Sequence, residues 1–223
     1  TAHYATSAIL ASLFARERTG KGSRIEISLF SATIASLVNV AQNALVTGKE
    51  ARRHGNAHAS IVPYQLFHGS DRPFAIGAGT DRHFQILCRD VIGREALSAE
   101  KRFATNAARV KSRATLVPLL ESVFATRKAA EWVKRCRKAG VPAALVQGVR
   151  EALRTPAGRL LVTEVDHPAI GRYAAVANPL LVDGRRLPVR LPPPSLGEHT
   201  EKVLREIGLP KRAIAELRQG GII

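Results

Sequence analysis

The sequence predicts an α/β protein. Three observations carry that expectation: apolar residues recur at helical spacing in several segments, short alternating runs stand between them, and glycine or proline marks most changes of rhythm. With 223 residues the chain can bury a substantial core, as one large domain or two small ones.

Each element follows in order. Between Tyr4 and Arg18 the apolar residues Ile9, Leu10, Leu13 and Phe14 share one helical face. Gly20 and Gly22 end that helix, and RIEISLF (Arg24–Phe30) alternates as a strand. Ser31–Val46 returns to the helical period through Ile34, Leu37, Val38, Ala41 and Leu45. SIVPYQLF and PFAIGAG then read as two short strands joined by the polar turn HGSDR. Helices are expected at about Asp81–Val91, Lys111–Phe124 and Arg127–Lys138. In the last of these Thr126 is the expected N-cap, Ala129, Trp132, Val133 and Cys136 form the stripe, and Gly140 with Pro142 ends the helix. AALVQ (Ala143–Gln147) is again strand-like.

Beyond Thr155-Pro156 the short strands RLLVTEV, RYAAVA and PLLV are punctuated by HPAIG and by the tight-turn pair Asp183-Gly184. Two short helices close the chain, in LGEHTEKVLREIGL and near Pro210–Gln219. The layout divides into residues 1–67, an inserted helix-and-strand module at 68–150, and a closing segment at 151–223.

Composition limits the function classes. The apolar fraction of 45% is ordinary for a globular chain, and no apolar run reaches the ~18 residues of a membrane span. Ala2–Phe14 lacks a basic flank and reads as a helix, not a secretion signal. Cys88 and Cys136 lie in helix-like patterns without metal-type spacing, so a reduced, cytoplasmic protein is expected. The net charge of +16 is spread along the chain, with no basic tail and no aromatic–basic alternation. Nucleic acid and membrane are therefore not expected partners, and the charge serves instead to attract small anions.

The candidate sites are few. His54 and His58 stand four apart in RRHGNAHASIVPYQLF, but Gly55 lies between them and no carboxylate or thiol is near, so loop histidines are expected rather than a metal site. IGAGTDRHF supplies Gly77 and Gly79 between a strand and a helix, where an anion can meet backbone N–H groups, although Arg82 replaces the third glycine of a dinucleotide fingerprint. RTGKGSR lacks P-loop spacing; Lys21 and Arg24 are read as loop charge. Asp166 and His167, adjacent in a strand, point to opposite faces, and Glu198-His199-Thr200 reads as a helix cap. Spacing alone stops at an α/β protein able to bind an anion.

Six motifs in order go further. ARERTGKGSRIEISLF, RHGNAHASIVPYQLF, FATNAARVKSR, AGVPAALV, the HPAIG turn and PPPSLGEHTEKVLREIGL together resemble class III coenzyme A transferases of the CaiB/BaiF type, from one end of the chain to the other. The resemblance implies a Rossmann-like large domain plus a smaller α+β domain, and an interlocked homodimer. On that frame 1–67 is a large-domain segment and linker, 68–150 the small domain, and 151–223 the return to the large domain. It implies transfer of coenzyme A from an acyl-CoA to a carboxylic acid through an aspartyl-CoA intermediate, with the coenzyme A thioester as substrate and no resident cofactor or metal.

The same resemblance places residues. The family's nucleophilic aspartate precedes a TGLYA-type segment, here TAHYA (Thr1–Ala5), so it is expected upstream of Thr1. Asp71, Asp81 and Asp90 do not occupy its place, and this chain alone is expected to be inactive. The family's glycine-rich loop, which closes over the intermediate, aligns with Gly55, Asn56, Ala57, His58, Ala59 and Ser60; only the first glycine is kept. GNAHASIVPYQ followed by GAG is most similar to the branch acting on succinate, glutarate or hydroxymethylglutarate. Related α-methylacyl-CoA racemases carry a glutamate where Asp81 stands. Racemase is thus the first alternative, and a non-catalytic dimerisation or regulatory module the second.

Overall fold

A computed structural model describes residues 1–223. The chain divides into two compact units, Thr1–Val146 and Gln147–Ile223. Its mixed helices and sheets form an α/β protein.

The first unit opens with α1 (Ala2–Thr19), which Gly20 ends in the left-handed conformation, its N–H bonding the carbonyl of Arg16. The strand expected at Arg24–Phe30 does not form. Residues 21–28 run without a ladder, because no other strand lies beside them, and an alternating pattern needs a partner before it becomes a sheet. The segment ends on Ser28, whose side chain accepts from the N–H of Ser31 and starts α2 (Leu29–Ser36). The single helix expected to Val46 is broken at Leu37–Val38: Val38 has φ 47°, and α3 (Asn39–Thr47) leaves at 81° to α2. No single helix is long and apolar enough to cross a membrane.

The core of this unit lies under a three-stranded antiparallel sheet in the order β1–β2–β3, formed by Tyr64–His68, Pro73–Gly77 and Ala143–Leu145. The first strand begins at Tyr64, later than the start of SIVPYQLF at Ser60. Phe67 opposes Phe74 and Gln65 opposes Ile76, so Phe67, Phe74 and Ile76 project from one face into the core. That face is covered by α4 (Asp81–Ile86), which widens into a π turn at Leu87–Val91, and by helices further along the chain. After the one-turn α5 (Ala96–Ala99) come α6 (Asn106–Lys111) and α7 (Arg113–Phe124), divided at Ser112 where one helix from Lys111 was expected.

The stripe expected on α8 (Ala129–Lys138) is present, with Ala129, Trp132, Val133 and Cys136 buried. Phe124 meets Phe67, Phe74 and Trp132 edge-on at 5.0, 5.3 and 5.3 Å, and Trp132 donates its indole N–H to the Phe124 carbonyl at 2.7 Å. Thr126 does not cap this helix. Its own hydroxyl donates back to Val123, while Asp71, in the β1–β2 turn, accepts the Ala129 N–H at 2.8 Å. A cap supplied across the sheet is invisible to local spacing.

In the second unit α9 (Val149–Arg154) and α10 (Pro156–Arg159) precede the hairpin β4–β5 (Val162–His167, Gly171–Val176). The smaller hairpin β6–β7 (Leu181–Val182, Arg185–Arg186) turns at Asp183-Gly184, both with positive φ, as that pair predicts. The chain ends in α11 (Thr200–Glu206) and α12 (Lys211–Gln219). The cap expected from Glu198-His199-Thr200 is not made by His199, which offers α11 no side-chain bond. Glu198 instead accepts the Ser195 N–H at 2.7 Å.

Candidate functional site

The loop before β1 is built by its own backbone and by three side chains of α6 and α7. Gly55 sits at φ 60°, where a Cβ would be strained, and the Ala57 N–H bonds the His54 carbonyl at 3.0 Å to close the turn. The loop then lies along the edge of β1 that faces away from β2. His58 donates its N–H to the Tyr64 carbonyl at 2.9 Å, and Asn56 Oδ1 accepts the Leu66 N–H at 2.9 Å. An open sheet edge is thereby occupied by the chain itself.

His58 is half-buried with its ring edge-on to Tyr64, 5.4 Å between centroids. Its Nδ1 accepts the Ser60 N–H at 3.1 Å. The exit half of the loop is held by two successive helices. Arg113 Nη2 donates to the carbonyls of His58 and Ala59 at 2.6 and 3.0 Å, and its buried Nη1 finds no partner in the chain. Asn106 clamps the exit: Nδ2 donates to the Ser60 carbonyl at 2.8 Å, and Oδ1 accepts the Val62 N–H at 3.1 Å. One residue further, Arg109 Nε donates to the Val62 carbonyl at 2.6 Å. These three residues stand in FATNAARVKSR, to which the sequence assigned no role. Part of the signal was there: Asn106 and Arg109, three apart, share one face of α6 that apolar periodicity ignores, and Arg113 follows at the start of α7.

Two clefts flank the loop. One of about 690 Å³ is lined by Val40, Asn43, Ala44, Arg52, His54 and Ala59. The other, about 570 Å³, lies on the outer sheet face between Asn56, Tyr64, Leu66, Ala75, Gly77 and Ala144. A Cβ at Gly77 would lie 3.0 Å from the Tyr64 ring, so a side chain there would press on the ring that lines that groove. Gly79 has open space where a side chain would go and turns the chain toward Thr80, whose hydroxyl caps α4 by accepting the His83 N–H at 3.1 Å.

The aspartates are engaged in the frame. Asp81 Oδ1 accepts the Asn106 N–H at 2.7 Å and Arg109 Nη2 at 2.8 Å. Asp71 caps α8, and Asp90 is gripped by Arg89 at 2.8 and 2.9 Å, which holds its carboxyl below the usual carboxylate range. The structure also separates Asp166 from His167: Asp166 lies beside Arg172, and His167 Nδ1 accepts the Ala169 N–H at 3.0 Å within its own turn.

Against known proteins, the family model described as CoA-transferase family III matches residues 1–200. The chain belongs to CoA-transferase family III. Within that family it is 35% identical to mouse succinyl-CoA:glutarate CoA-transferase over 227 residues, covering all of this chain and 52% of that protein. It is 34% identical to the acetyl-CoA:oxalate CoA-transferase of Acetobacter aceti over 207 residues, covering 91% of this chain and 51% of that enzyme. A solved CAIB/BAIF family protein from Brucella suis superposes with a TM-score of 0.66 at 34% identity, covering 91% of this chain and 53% of that one. The chain spans about half the length of the family III relatives it matches.

Proposed function

We propose that the protein carrying this chain transfers coenzyme A from succinyl-CoA, or another short dicarboxylyl-CoA, to a carboxylic acid. The observation that carries the reading is the family III match across residues 1–200, which contains the loop Gly55–Ser60. Two relatives within it are named for transfers to glutarate and oxalate, both dicarboxylic acids.

In this reading an aspartate upstream of Thr1 attacks the thioester carbonyl and releases coenzyme A thiolate, leaving a mixed anhydride. The thiolate attacks the aspartyl carbonyl of that anhydride, giving aspartyl-CoA and the free donor acid. The acceptor carboxylate then repeats the exchange in reverse order, and the aspartate is regenerated. Every step passes one acyl bond to another, so the thioester's energy is kept provided water is excluded. Excluding water is the task given to Gly55–Ser60. The homodimer and a cytoplasmic location belong to the same proposal.

The racemase alternative needs Asp81 as a proton-transfer group, and Asp81 Oδ1 already accepts two hydrogen bonds that fix α6 and Arg109. The transferase is therefore the better reading. The test is an assay of the protein expressed with its adjoining coding sequence, given succinyl-CoA and glutarate in D2O. Glutaryl-CoA without α-deuterium supports transfer. Deuterium exchange at the α-carbon of a branched acyl-CoA, without transfer, replaces it with the racemase.

A further inference from the structure

The geometry points to His58 as the residue that selects dicarboxylates, its Nε2–H donating to the carboxylate of the acyl group that is not joined to coenzyme A. This rests on the transferase reading for the identity of the substrate, but the arrangement of His58 stands on the structure alone.

The tautomer comes first. A neutral imidazole carries one proton, and His58 Nδ1 is occupied as an acceptor of the Ser60 N–H at 3.1 Å. The proton is therefore on Nε2, which has no partner in the chain. A fixed donor is left pointing away from the loop's own hydrogen bonds.

Rigidity comes second. His58 is held at its N–H by the Tyr64 carbonyl, at its carbonyl by Arg113, and at its ring by the edge of Tyr64. A donor pinned in this way loses little entropy when it meets an anion. Charge comes third. Arg113 sits behind the loop with its guanidinium on the carbonyls of His58 and Ala59 and no carboxylate paired to it, and Arg52 and Arg53 precede the loop in sequence. The loop thus carries positive charge that its own residues do not neutralise.

Selection then follows from the cost of leaving the donor unmade. A dicarboxylyl group ends in an anion that pairs with Nε2–H. A monocarboxylyl group of equal length ends in a methyl, which strips water from the donor and returns nothing. Sites built around a hydrogen bond reject analogues that lack it for this reason.

Imidazole nitrogen NMR of this chain tests the arrangement directly. The expected spectrum shows the His58 ring proton on Nε2, with a saturable shift of that resonance on adding glutaryl-CoA and none on adding valeryl-CoA, whose acyl group has the same carbon count. The Nδ1–H tautomer, or equal shifts with both thioesters, overturns the proposal. In the transferase assay, His58→Ala is expected to lower kcat/KM for glutarate about tenfold relative to valerate, the loss of one hydrogen bond to a charged group. His58→Gln, which keeps an amide N–H near the Nε2 position, is expected to recover most of that ratio. Glutarate preference unchanged in His58→Ala, with the wild type active, rejects the role of His58 and leaves the transferase reading intact. A wild type that transfers nothing rejects the transferase reading, and the NMR result still decides the case for His58.

Discussion

Arg109 and Asp81 form an ion pair in which the cation is completely buried and the anion is not: Arg109 Nη2 lies 2.8 Å from Asp81 Oδ1, with side-chain exposures of 0% and 46%. Arg109 also donates to the carbonyls of Val62 and Phe103 and lies over the Phe84 ring at 4.5 Å. One guanidinium thus fixes the exit of the loop, the start of α6 and the floor of the core. Removing Asp81 leaves a buried charge without its counterion. A buried pair broken on one side costs about 3–5 kcal/mol, and the half-exposed carboxylate reduces that through solvent screening. Asp81→Ala is expected to cost about 2 kcal/mol, read as a lower urea midpoint with an unchanged slope. Arg109→Leu is expected to cost more, since three acceptors lose their donor together. A midpoint for Asp81→Ala equal to wild type would show that water already satisfies Arg109.

Asn106 bridges two positions of the loop exit through a single amide, as donor to the Ser60 carbonyl and acceptor from the Val62 N–H. Its replacement by Ala removes both bonds but not Arg109. The expected result is a cost of about 1–3 kcal/mol, together with faster hydrogen exchange at the Val62 amide. Asn106→Asp keeps the acceptor and loses the donor, so Val62 should stay protected while the loop at Ser60 loosens. Equal protection of Val62 in wild type and Asn106→Ala would show that the clamp does not hold the loop.

Much of this frame can be read from the sequence, and the limits have physical causes. The β1–β2 hairpin and the apolar stripe of α8 are local patterns with a period, and each lies where its period places it. Arg24–Phe30 has the period of a strand and no neighbour to pair with, so the pattern was correct and the context absent. Val38, a β-branched residue at φ 47°, breaks a helix that its neighbours' spacing would continue, and nothing in its chemistry announces that. The loop Gly55–Ser60 was placed through family motifs. The side chains that hold it were not, because they sit 44 to 55 residues away and are polar where apolar periodicity is the guide.

Gly69 lies at the turn where the β1–β2 hairpin meets α8. A Cβ at this position would stand 2.5 Å from the Ala129 backbone nitrogen and 2.9 Å from its Cα, a clash with backbone that no rotamer relieves. The same turn supplies Asp71, the cap of α8. Gly69→Ala is therefore expected to displace the helix start and cost about 1–3 kcal/mol, whereas Gly79→Ala, with nothing within 4 Å of the new methyl, should change stability little. Thermal melts of the two variants check the contrast. Equal melting temperatures would mean that the α8 start gives way without loss.

Cys88 and Cys136 are completely buried in the core, and burial pushes their thiols up to about 12 and about 11 from the ordinary 9.0. Both shifts favour the neutral thiol in the folded state. Below pH 9 neither folded nor unfolded thiols ionise to a large extent, so the contribution to stability is fully present. As pH rises from about 9 toward 11 and 12, the unfolded chain releases these protons while the folded chain keeps them. Unfolding then becomes steadily easier. Two measurements follow from this sign. At pH 8 a disulfide reagent should label both thiols at the rate of unfolding, with little labelling of the native protein, because the thiolate is the reactive form. Cys88→Ala/Cys136→Ala, although less stable at neutral pH through lost packing, should lose less stability than wild type between pH 9 and 11. A parallel fall in both proteins would show that the alkaline sensitivity does not come from these thiols.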